Sequence, residues 1–170
     1  VFARDGVPRE RMRVVEYGMD TALYDPTATS PPRTDGFRVG FMGTVLPSKG
    51  VHVLLDAFEA GTQSYELHLY GDSRDRKYVR GVRERATALG AHWHGAYERA
   101  DLPRLLAGVD AVVVPSLWTE NAPFVIREAF AARRPVVVAD TEALTENVRD
   151  GVDGLCLSLI HISEPTRPLH

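Results

Sequence analysis

The sequence predicts an α/β domain on a doubly wound parallel sheet, and three observations carry that expectation. The runs 110–115 (DAVVVP) and 135–139 (PVVVA) are apolar or small without alternation, as in strands buried on both faces. Strand-length apolar runs alternate with segments whose apolar residues recur at helical spacing. Gly, Pro and Asp mark the junctions between them. Such alternation, closed by right-handed crossovers, gives a Rossmann-like architecture with helices on both faces.

The elements follow in order. Residues 1–25 hold one short strand candidate, 13–16, closed by Tyr17-Gly18, and 26–36 (PTATSPPRTDG) read as a linker. Residues 1–36 are therefore expected to precede the domain proper. The first strand is 37–42 (FRVGFM), followed by a loop, 43–49. A helix is expected over 48–60, with Val51, Leu54, Leu55 and Phe58 on one face. The second strand is 66–70 (ELHLY), ended by Gly71-Asp72. An Arg-rich, solvent-facing helix spans 75–89, and Gly90 stops it. A short strand covers 91–94, and a short helix 101–109 takes Asp101 as its N-cap. Strand 110–115, helix 122–132, strand 135–139 and a last short helix, 144–149, complete a domain of 37–156.

At 170 residues the chain is long enough for one well-buried domain. Its net charge of −3 argues against general binding to nucleic acid or membrane surfaces. Lysine occurs only at Lys49 and Lys77. The lone Cys156 excludes an internal disulfide framework and points to a reducing, cytoplasmic compartment. No apolar run approaches the roughly 20 residues that span a bilayer. The chain opens on Val1 instead of methionine, so a longer natural N-terminus is expected. From residue 157 the text LSLIHISEPTRPLH leaves the strand–helix grammar and resembles a translated sequencing adapter. Residues 157–170 are read as a non-native tail, and His161 and His170 not as ligands.

The stretch 115–128 (PSLWTENAPFVIRE) carries the most chemistry. Glu120 belongs to the loop leaving the C-terminal end of a strand, and Glu128 to the second turn of the next helix. Open α/β sheets bind ligands in that crevice. A carboxylate there accepts hydrogen bonds from sugar or ribose hydroxyls. Lys49 stands at a helix start, where a cation is mildly disfavoured, and this favours a functional reading. The bland alternatives are a helix-start carboxylate for Glu120, a solvated helix residue for Glu128, and plain turn glycines at Gly43 and Gly50. His92 and His94 read as partly buried sheet residues and not as metal ligands, since no Cys or acidic partner shares their spacing. Trp118 reads as a loop anchor packed on the sheet edge, with ligand stacking second, and Asp72 as a turn residue ahead of one that approaches the ligand crevice.

The segments GTVLPSKG (43–50) with HVLLDAF, then LYGD, HWHGAY, DAVVVPSLWTEN and REAFAARRPVVVAD together resemble glycosyltransferase family 4. The likeness is to the C-terminal, donor-binding half of that family's GT-B fold, over about residues 37–155. The first segment, VPRERMRVVEYGMDTALYDP, resembles the stretch just before it. The resemblance implies a retaining transfer of sugar from a nucleotide-sugar to an acceptor, with no cofactor and no metal. It implies catalytic roles for Lys49, at the pyrophosphate, and Glu120, at the sugar hydroxyls. It implies substrate binding by Gly43, Thr44, the backbone from Asn121 through Ala122, Pro123 and Phe124 to Val125, and Glu128 at the ribose. The acceptor-binding N-terminal GT-B domain is expected to be missing, which leaves this piece inactive alone. Any peripheral membrane association would come through that missing sequence.

Three positions depart from the family pattern. Thr44 stands where many members carry arginine, Glu142-Ala143 where they carry a glycine pair, and Arg133 where glycine is usual. Alternatives to the transferase reading are another GT-B enzyme, such as a sugar-nucleotide epimerase, or a non-catalytic nucleotide-binding α/β module.

Overall fold

A computed structural model describes residues 6–13, 18–24, 36–61, 64–118 and 123–158. The elements run β1 (Phe37–Met42), α1 (Val51–Ala60), β2 (Tyr65–Tyr70), α2 (Arg76–Ala88), β3 (His92–Gly95) and α3 (Leu102–Ala107). They continue with β4 (Ala111–Val114), α4 (Phe124–Ala131), β5 (Val136–Ala139), α5 (Glu142–Thr145) and β6 (Gly154–Leu157). The strands form one sheet in the order β3-β2-β1-β4-β5-β6, and every neighbouring pair is parallel. Strand order reverses between β1 and β4, so the crevice at their carboxyl ends is the topological switch point.

Each face of the sheet carries its own core. On one, Phe41, Leu67, Leu69 and Val113 pack under Val51, Leu55 and Phe58 of α1 and Val79, Val82 and Ala86 of α2. On the other, Met42, Val112, Val114, Val136 and Val138 pack against Leu102, Leu105 and Leu106 of α3, Ile126 of α4 and Leu144 of α5. All four residues of β4 are buried, which explains its unbroken valine run. Helices thus cover both faces, as the doubly wound, Rossmann-like expectation requires. Among the described residues no helix is long and apolar enough to cross a membrane.

Several boundaries differ from the sequence expectations. The helix expected over 48–60 divides into a 3₁₀ turn, Pro47–Lys49, and α1, because Gly50 between them has φ 68°. A Cβ at Gly50 would overlap the carbonyl oxygen of Pro115, so loop and strand end approach to backbone contact there. Asp101 does not cap α3 with its side chain. It closes a capping box on the preceding 3₁₀ turn, accepting from the Glu98 N–H at 3.3 Å. The final helix lies at Glu142–Thr145, earlier than 144–149. Trp118 is 70% exposed and is no packed anchor. Of the strand candidate 13–16, residues 14–16 lie outside the described residues.

Two further elements join the domain from its flanks. β6 pairs with β5 as a sixth strand, with Val138 opposite Cys156 and Ala139 opposite Leu157. The 3₁₀ turn Thr21–Tyr24, in the segment read as preceding the domain, inserts Tyr24 into the core at 5% exposure.

β1 and β4 are joined at their amino ends by a buried ion pair. Arg38, 6% exposed, places Nε 3.3 Å from Asp110 Oδ2, which also accepts the Arg38 backbone N–H at 2.8 Å. The Asp110 N–H in turn donates to the Arg38 carbonyl at 2.8 Å.

Candidate active site

The crevice is built by loops leaving the carboxyl ends of the strands. The Ser48 carbonyl accepts from the Leu117 N–H at 2.9 Å and from the Ser116 hydroxyl at 3.4 Å. The loop after β1 and the loop after β4 are thereby tied together on either side of the switch point. Gly43 and Gly71 end β1 and β2; the Gly43 N–H donates to Tyr70 and the Gly71 N–H to Gly95. A Cβ at Gly71 would overlap the Gly43 carbonyl, so the floor of the crevice is backbone on backbone.

A cleft of about 390 Å³ opens above this floor. Gly43 and Thr44 line it from the β1 loop, and Gly71 and Asp72 from the end of β2. Ala96, Tyr97 and Arg99 line it after β3, Leu102 from α3, and Phe124 and Glu128 from α4. Such a space holds much of a drug-sized ligand.

Glu128 is the electrostatic centre of the cleft. It is 5% exposed, yet forms part of the wall. Arg99 Nη2 donates to its Oε1 at 3.3 Å, and the Tyr24 hydroxyl also hydrogen-bonds to it. Burial, then the Glu128 charge and that hydrogen bond, push the Tyr24 phenol up to about 12. Burial, and next Glu128, also raise the Tyr97 phenol, with Arg99 opposing. Both phenols are therefore kept as neutral donors. The Arg99 guanidinium lies 6.0 Å from the Phe124 ring centroid, within cation–π range, and its side chain is 75% exposed at the mouth. Across the cleft, Asp72 accepts from Arg76 Nη1 at 2.8 Å and from the Ser73 N–H at 2.8 Å. These bonds, that to Arg76 first, hold its carboxyl below the usual range.

Of the residues expected at the site, Gly43, Thr44, Phe124 and Glu128 share this cleft. Lys49 is half-buried in the 3₁₀ turn directly before Gly50, in the loop tied to β4, and is not among the cleft-lining residues. Pro123 is buried at the start of α4, and Val125 packs against the core. Glu120, Asn121 and Ala122 lie outside the described residues, and α4 begins at Phe124 where 122 was expected. Glu142 is exposed in the first turn of α5, a favourable place for a carboxylate, and does not line the cleft. Arg133 has φ 56°, the only positive φ of a non-glycine residue among those described, which accounts for glycine being usual there.

Sequence reasoning missed Tyr24, Tyr97 and Arg99, and for Asp72 it favoured a turn role over the approach to the ligand crevice that the structure shows. Tyr97 and Arg99 follow the glycine that ends β3, and a glycine at a strand's carboxyl end is the signal that marks them.

Comparison with known proteins agrees with this geometry. The family model described as "Glycosyl transferases group 1" matches residues 36–164. The chain is 30% identical over 164 residues to the D-inositol 3-phosphate glycosyltransferase of Mycobacterium marinum, covering 87% of this chain and 34% of that protein. It is 29% identical over 142 residues to the phosphatidyl-myo-inositol mannosyltransferase of Mycobacterium leprae, covering 80% and 37%. The chain thus spans about a third of the length of these curated relatives. Among solved structures, Anabaena Alr3699/HepE in complex with UDP and glucose superposes with a TM-score of 0.78 at 31% identity, covering 92% of this chain and 46% of that one. With the switch-point cleft, the all-parallel sheet and a family match over most of its length, the chain belongs to the group 1 glycosyltransferases.

Proposed function

We propose that this chain is the donor-binding half of a retaining glycosyltransferase, which moves a sugar from a nucleoside diphosphate sugar to an acceptor hydroxyl. The observation that carries the reading is Glu128: a buried carboxylate in the wall of the switch-point cleft, with Arg99 and Tyr24 as partners. A ribose presents hydroxyl donors to such an acceptor without competing charge. The UDP and glucose of the Anabaena structure make a uridine diphosphosugar the first donor to try.

In the reaction the bond from the anomeric carbon to the phosphate oxygen breaks, and its electron pair leaves with the diphosphate. The acceptor oxygen forms the new bond on the same face and passes its proton to the departing diphosphate oxygen. The Lys49 ammonium is assigned to the growing charge on the departing diphosphate. Glu120 is assigned to the hydroxyls of the transferred sugar, and the first turn of α4 contributes N–H groups and the positive end of its dipole. No metal or cofactor takes part in this scheme. The acceptor is held by a domain outside this chain, so the chain alone binds donor without turnover. Residence in the cytoplasm belongs to the same reading and rests on the lone Cys156.

Thermal unfolding with and without nucleoside diphosphate tests the proposal. At 100 times Kd the gain is about 2.7 kcal/mol, a rise in Tm of about 5–11 °C for a domain of this size. No shift at millimolar UDP, GDP or ADP overturns it.

A further inference from the structure

The two faces of β2 differ in chemistry. Leu67 and Leu69 enter the core beneath α1 and α2, while Glu66, His68 and Tyr70 occupy the other face. β3 lies alongside in parallel, with His68 opposite His92. His94 follows two residues later, so both β3 histidines share the face of His68. The rings stack at this sheet edge: centroids of His68 and His92 are 4.6 Å apart, and those of Tyr70 and His94 4.2 Å. His68 Nδ1 lies 3.0 Å from His94 Nε2, and His68 Nε2 lies 3.3 Å from Glu66 Oε2. One ligand atom each from Glu66, His68 and His92 falls within 4.8 Å of the others.

We infer that Glu66, His68 and His92 form a binding site for a divalent transition-metal ion of the zinc class, with His94 orienting His68. Two imidazoles and a carboxylate suit that ion and leave a fourth position for water. Bonds of about 2.0–2.1 Å in a tetrahedron set neighbouring ligand atoms about 3.3 Å apart. His68 Nε2 and Glu66 Oε2 already have that separation. His92 is exposed, so its ring is free of the core and closes the remaining distance by rotation about χ1 and χ2. The contact of His94 with Nδ1 commits the other nitrogen of His68 to the metal, the arrangement by which outer partners fix a ligating imidazole. Arg38 also faces this region, but its guanidinium is paired with Asp110. An ion here clips the edge strand β3 to β2, on the face that Tyr70 shares and one residue before the cleft-lining Gly71. The site is separate from the donor scheme above and stands without it.

Calorimetric titration of the chelator-treated chain with Zn²⁺, and of Co²⁺ followed by its visible absorption, tests the inference. The expected result is one ion per chain and a rise in Tm with metal. His92→Gln, an exposed position that folding tolerates, and His68→Gln are each expected to weaken binding at least about tenfold. His52→Gln, Cys156→Ser and the paired change His161→Gln with His170→Gln are expected to leave it unchanged. Absence of binding, binding that survives both His92→Gln and His68→Gln, or binding lost with His161 and His170 overturns the inference.

Discussion

Replacing Glu128 by glutamine separates its part in folding from its part in binding. The amide keeps the volume of a side chain that is 5% exposed, and its oxygen still accepts from the Tyr24 hydroxyl. What disappears is the charge facing Arg99, whose side chain is 75% exposed. A pair with one partner so open to water is worth within about 1 kcal/mol, so Tm falls by no more than about 2–4 °C. A hydrogen bond from a ribose hydroxyl to the carboxylate is worth about 1.5–3 kcal/mol. A neutral amide oxygen still accepts such a bond at about 0.5–1.5 kcal/mol, so the variant loses about 1–1.5 kcal/mol and binds nucleoside diphosphate about 5- to 13-fold more weakly. Calorimetry with UDP reads that ratio, and a thermal melt without nucleotide reads the folding cost. A third readout needs no ligand: the Tyr24 phenol, raised first by burial and next by Glu128, titrates at lower pH in the variant, followed by tyrosinate absorbance. Equal UDP affinity in parent and variant refutes the assignment of Glu128 to the ribose. An unmoved phenol refutes its electrostatic grip on Tyr24.

Other substitutions probe the backbone and the pH response. Arg133→Gly relieves an exposed residue at φ 56° where α4 ends, with the Arg133 N–H on Phe130 and the Arg134 N–H on Ala129. After the entropy of an added glycine, a gain of up to about 1 kcal/mol is expected, read as a higher denaturant midpoint. Gly50→Ala does the reverse: the left-handed φ and the overlap with the Pro115 carbonyl cost about 2–4 kcal/mol, and a melt that matches the parent contradicts the close approach. Because the Tyr24 phenol is raised in the folded state, its contribution is intact below the unfolded value of 10.0 and is lost as pH climbs towards about 12. That two-unit displacement is worth about 2–3 kcal/mol. Chemical denaturation between pH 9 and 12 shows a steep decline in the parent, and Tyr24→Phe shallows it.

Much of the sheet was legible because its strands obey one rule. β4 and β5 are near-continuous apolar runs, and β1 was bounded correctly from FRVGFM alone. β6 escaped because GLCL is half-exposed, with Leu155 and Leu157 each 50% accessible. Its place comes from backbone pairing to β5 and from the Cys156 N–H donating to Asp150, neither of which leaves an apolar pattern. Tyr24 escaped for a related reason, since one buried ring in a short 3₁₀ turn has no periodicity. In the cleft, Glu128 was readable from its distance after a strand end. Arg99 and Tyr97 were not, because their nearness to Glu128 is made by the segment after β3 reaching across the fold to α4. The cluster around His68 shows the same limit: no acidic residue shares the spacing of His92 and His94, and the neighbouring strand supplies Glu66.

The buried pair of Arg38 and Asp110 has a consequence for how the chain finds its fold. β1 and β4 are separated by three whole crossovers, and the smooth valine run of β4 offers little to tell one alignment from the next. Sliding them by two residues preserves which side chains point up or down, but it strands a guanidinium and a carboxylate in the interior without each other. Misthreaded sheets are thereby penalised at the seam on which the cleft is later assembled. A neutral substitution on both sides at once is expected to leave a stable protein that is less certain of its alignment.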